Sequence, residues 1–102
     1  MTIDDAKKII DEIITGEILI YEETLDDLYD IKKKAVSNII IRNLLYEEID
    51  KEIQDLKLRL ETLYKISIRL IMFMSMHINV SNACEELLKL LNKCKYYKEI
   101  CK

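Results

Sequence analysis

The sequence predicts an all-α protein: a helical bundle built on one long central helix with shorter flanking helices, paired as a dimer. Three observations predict it. Ile49, Ile53, Leu56, Leu60, Leu63, Ser67, Leu70 and Met74 follow one another at alternating steps of four and three, the spacing of a heptad seam in which only Ser67 is polar. One Gly and no Pro in 102 residues leave few devices for tight turns, which favours long helices over hairpins. The seam belongs to a helix expected to run to about Ile78. Roughly forty residues at 1.5 Å each span ~60 Å, whereas a compact chain of this size has a radius of gyration of ~13 Å. A second copy of the chain is the simplest cover for the overhang, so Ile49, Ile53, Leu56, Leu60, Leu63, Leu70 and Met74 are the expected interface, with Ser67 facing the partner. A sharp bend near Ser37 or Ser67, giving a monomeric bundle, is the competing layout.

The elements follow in order. Thr2 with Asp5 resembles a capping box. Ile3, Ala6, Ile10 and Ile13 give the first helix an apolar face over residues 3–15. Gly16 falls where a left-handed C-terminal cap would end it. Glu17 to Glu23 fits either a short strand or a helix, since Ile18, Tyr21, Leu25 and Leu28 sit at three–four spacing. Thr24 with Asp27 offers another capping box, so the second helix starts at Ile18 or Leu25 and ends at Ala35. Ser37-Asn38 is the only break signal before the long helix. Ile39, Ile40, Ile41, Leu44 and Leu45 are apolar on nearly every side and are expected at the centre of the core. His77 to Asn82 holds the last turn signal, with Asn79 or Ser81 capping a final helix whose face is Leu87, Leu90, Leu91, Cys94 and Tyr97.

Composition narrows the function. Hydrophobic residues at 50% and charged residues at 34% describe a folded chain of one domain, residues 1–102. Net charge is −3, which argues against general affinity for nucleic acid or anionic membranes. Residues 1–30 carry ten acids and two lysines, while residues 31–102 carry fourteen bases and nine acids; the two parts can pair with each other or with a charged partner. Ile66 to Val80 is too short for a membrane helix. There is no secretory signal, and an odd set of cysteines does not suggest a disulfide framework, so the cytoplasm is the expected setting.

Candidate chemistry is sparse. Cys84, Cys94, Cys101 and His77 match structural zinc in number but lack its close Cys pairs; packed apolar faces explain the cysteines better. Glu48 and Glu52 sit one turn apart, as metal carboxylates on a bundle helix can, but no Glu-x-x-His accompanies them. There is no phosphate loop or nucleophile elbow. No catalytic residue, cofactor or metal is expected, and the protein is read as a non-enzymatic structural or adaptor protein. The alternative is a nucleic-acid accessory factor, with Lys93, Lys95, Tyr96 and Lys98 touching phosphates and stacking on bases. Met72, Phe73, Met74 and Met76 suggest an adaptable apolar surface.

Overall fold

The computed structural model describes residues 2–36, 39–76 and 81–101; within them, the side chains of residues 3, 35–36, 39–45 and 81–83 lie outside the description. The described residues are almost entirely helical and contain no strand. The helices are α1 (Ile3–Glu12), a π-helical segment (Ile13–Ile18), α2 (Leu19–Val36), α3 (Ile39–Ser75), α4 (Ser81–Asn92) and the short α5 (Tyr97–Ile100). No described helix is long and apolar enough to cross a membrane.

Helix α1 begins at the expected capping box. The Asp5 backbone N–H donates to Thr2 Oγ1 and the Thr2 N–H donates to Asp5 Oδ2, both at 3.2 Å. Gly16 does not end the helix, contrary to expectation: α1, the π segment and α2 run on without interruption, and the Gly16 backbone is not left-handed. The reason lies in the spacing of the buried side chains. Ala6, Ile10, Ile14, Ile18 and Glu22 are all buried and recur every four residues. On an α-helix each step of four overshoots a full turn by ~40°, so such a row drifts off one side. The wider π turn winds the row back onto it. Glu17 to Glu23 is therefore helical. Thr24 is no cap, because its hydroxyl donates to the Ile20 carbonyl one turn earlier, at 2.9 Å.

Helix α3 has 37 residues, ~55 Å of rise, and sets the molecular dimensions of 59 × 22 × 20 Å and a radius of gyration of 17.0 Å. Lys32 meets Asp50 and Glu22 meets Tyr64, so α2 runs antiparallel to the first part of α3. Helix α1 lies against α3 and α4. The heptad seam faces this packing. Ile49, Ile53, Leu56, Leu60 and Met74 are buried, Leu63 and Leu70 are partly buried, and all join one cluster with Ile10, Ile14, Ile18 and Leu25. The seam is thus filled by the chain's own helices, which corrects its assignment as the surface for a second copy. Ser67 is buried and donates to the Leu63 carbonyl at 2.9 Å; it is satisfied within its own helix, and α3 passes through it unbroken. The expected break at Ser37-Asn38, the turn at 77–80 and the side chains of Ile39, Ile40, Ile41, Leu44 and Leu45 fall outside the described residues.

The C-terminal region is not one helix. It turns at 93–96 between α4 and α5, with the Lys93 and Cys94 N–H groups closing the end of α4 on the Lys89 and Leu91 carbonyls. Leu87, Leu91 and Cys94 are buried, as their shared face suggested, but Leu90 is exposed.

Candidate functional site

Helix α2 presents different chemistry to the two sides of the α2–α3 pair. Glu22 and Asp26, one turn apart, face the C-terminal turn. Ile20 and Thr24 are each two residues away, and two residues rotate a helix by ~200°, so they look out on the other side.

On the closed side, Glu22 is only 4% exposed. Its Oε2 accepts from Tyr64 Oη at 2.9 Å and from the Tyr96 backbone N–H at 2.6 Å. Its Oε1 is buried without a hydrogen-bond partner among the described residues. Asp26 Oδ1 takes Lys95 Nζ at 2.8 Å and also accepts from the Tyr96 hydroxyl. The rings pack around these bonds: Tyr64 meets Tyr97 edge to face at 5.3 Å, and Tyr29 lies 6.1 Å from Tyr96. Two carboxylates on α2 thereby clamp a turn more than sixty residues away in sequence, and Tyr64 of α3 packs against it.

The protons of this clamp are held firmly. Burial and the Glu22 hydrogen bond push the Tyr64 hydroxyl well above the usual tyrosine range. Burial and Asp26 do the same to Tyr96. Hydrogen bonds from Lys95 and Tyr96 hold Asp26 below the usual carboxylate range. Burial, reinforced by the nearby Glu22, pushes the Cys94 thiol up to about 11. Acid–base work near neutrality favours groups whose pKa is close to the working pH; these shifts run away from it.

The residues singled out from sequence are redistributed. Tyr96 is 8% exposed and Lys95 is paired with Asp26, so this ring is not open to stack on a base. Lys93 and Lys98 are exposed. Cys84, Cys94 and Cys101 are free thiols. Cys84 donates weakly to the Ile71 carbonyl and Cys94 to that of Leu90. The break at 93–96 removes the continuous helix that would have put Cys94 and Cys101 on one stripe. Glu48 and Glu52 are exposed on α3. Among the described residues no group of His, Cys, Asp or Glu is gathered as metal ligands. Glu22 was missed, although a signal existed: it sits four after Ile18 and three before Leu25, where an apolar residue would continue the row.

On the open side, Ile20, Tyr21 and Thr24 of α2 face Glu52, Asp55 and Arg59 of α3 across a shallow groove. Leu56 forms part of its floor. Comparison of the chain with protein-family models, with curated proteins and with solved structures gives no match.

Proposed function

We propose that the protein is a single-domain, non-enzymatic structural or adaptor protein of the cytoplasm, acting through self-association of its helices or docking onto a larger assembly. The observation behind this reading is the apolar surface left on the outer faces of the two longest helices. Leu58 is 62% exposed, Met72 60% and Met76 83%. Leu58 and Met72 are fourteen residues apart on α3, about four turns, so they fall on one face, and Met76 follows just past the end of the helix. Ile20 and Ile31 repeat on α2 in the same way, eleven residues or about three turns apart. Scattered apolar residues are normal on a surface; repetition along one helix face is the pattern of a helix that takes a partner. The clamp's protons, fixed far from neutrality, agree with a structural role, and free thiols suit a reducing compartment. Burial of Tyr96 takes support from the nucleic-acid alternative.

Sedimentation equilibrium at micromolar concentration tests the self-association arm. The expected result is a mass above the 12.1 kDa of one chain, rising with concentration. A mass of one chain throughout the range overturns it.

A further inference from the structure

We infer that the outer face of α3 receives the outer face of α2 from a second copy of the chain, joining copies head to tail. This rests on the self-association reading and names the two surfaces it uses.

On α3, Leu58, Thr62, Lys65, Arg69 and Met72 follow one another at alternating steps of four and three, and all are exposed. They form a second heptad stripe, turned away from the buried one. Lys65 and Arg69 stand two residues on either side of the fully buried Ser67, and two residues rotate a helix by ~200°. On α2, Glu23 and Asp27 stand in the same relation to the fully buried Leu25. Both acids are exposed, and the exposed Ile20 and Ile31 bracket them. Each outer face thus carries two like charges one turn apart, with apolar side chains beyond them.

The signs are opposite. Residues 62–76 hold two bases and no acid, whereas residues 19–31 hold five acids and no base. Arg69, Glu23 and Asp27 have no ion pair among the described residues, and Lys65 holds Glu61 of its own helix at 2.7 Å. Pairing α3 with α3 on this stripe would set base against base, and pairing α2 with α2 would set acid against acid. The complementary arrangement is α2 on α3.

Laid antiparallel, as the two helices already lie within one chain, Arg69 meets Glu23 and Lys65 meets Asp27. Met72, three residues beyond Arg69, then meets Ile20, three before Glu23. At the other end Ile31 enters the hole between Leu58, Glu61, Thr62 and Lys65. On each chain the two faces point away from each other, because Leu25 and Ser67 both point inward. A contact between different faces is heterologous and leaves one of each open at the ends, so assembly continues past two copies.

The test is a charge exchange read by sedimentation equilibrium, with circular dichroism confirming that each variant keeps its helix. One variant carries Lys65→Glu and Arg69→Glu, so both of its faces are acidic. The other carries Glu23→Lys and Asp27→Lys, so both are basic. The wild type is expected to pass beyond two chains as concentration rises. Each variant alone is expected to associate more than about tenfold more weakly, because like charges then meet. An equimolar mixture sets every acidic face against a basic one and is expected to regain wild-type association within about threefold. Recovery on mixing cannot come from misfolded chains, so the outcome is decisive even if one variant is less stable. Association that survives in both variants, or that stays lost on mixing, overturns these surfaces while leaving self-association intact. So does a wild-type mass that stops at two chains, which would require one face to pair with itself. A wild-type chain that never associates overturns both the surfaces and the reading beneath them.

Discussion

The two sides of the α2–α3 pair carry similar residue types to opposite effect. On the closed side, Glu22 and Asp26 are met by Tyr64, Lys95 and Tyr96, and the buried Glu22 takes both of its donors on Oε2. On the open side, Glu52, Asp55 and Arg59 stay exposed, and Ile20 across the groove from them is exposed as well. Burial decides the difference. A buried polar group left without a partner costs about 1–3 kcal/mol, so the closed side has to be specific. Exposed charges interact through high dielectric and contribute about 0–1 kcal/mol per pair, so the open side needs no such pairing for the chain to be stable.

The largest perturbation is one that both sides share. Leu60 is fully buried on α3 between them. Leu60→Ala is expected to cost about 2–5 kcal/mol in urea unfolding. A loss below about 0.5 kcal/mol, the range of surface changes, would show that α3 does not rest on this row.

A smaller change separates the sides. Glu22→Ala leaves the Tyr64 hydroxyl and the Tyr96 N–H without their acceptor, an expected loss of about 2–3 kcal/mol. Hydrogen exchange should quicken at α5 more than at α1. Equal acceleration in both would mean that the clamp has no local role.

The ends of the pH range test the closed side. Asp26 has a lowered pKa in the folded protein, so its contribution is present above its ordinary value of 3.8 and is lost as pH falls below it. Cys94 is raised from 9.0 to about 11, so its contribution is complete below 9 and is lost as pH climbs through that window. Tyr96, raised as well, adds to the alkaline loss from about 10 upward. Proteolysis near residues 93–101 followed between pH 3 and 11 should show protection at the centre and loss at both ends. A flat profile would disconnect these groups from the docking of the C-terminal turn.

The smallest effect concerns the uninterrupted helix that feeds both sides. A methyl group added at Gly16 would meet nothing within 4 Å. Gly16→Ala is therefore expected to stabilise the protein by about 0.5–1 kcal/mol, through the unfolded chain's lost freedom and better helix propensity. Destabilisation would mean that the π segment needs glycine at that position.

By itself the sequence determined the helical class, the capping box at Thr2 and Asp5, and which face of α3 is buried, because these are short-range matters of spacing and local hydrogen bonding. It misplaced what fills that face. A heptad seam states that a helix needs cover but not whose cover it is, and only packing showed that α1, the π segment and α2 supply it for Ile49, Ile53, Leu56 and Leu60. The same limit applied at Gly16, where the need to keep Ile10, Ile14 and Ile18 on one side outweighed a local stop signal. It applied again to Lys95 and Tyr96, whose basic-aromatic pattern is equally suited to a phosphate or to Asp26. The Tyr96 hydroxyl and Asp26 lie 70 residues apart in sequence, and a bond over that separation is specified by no local pattern. Only the folded arrangement of α2, α3 and the C-terminal turn brings the two together.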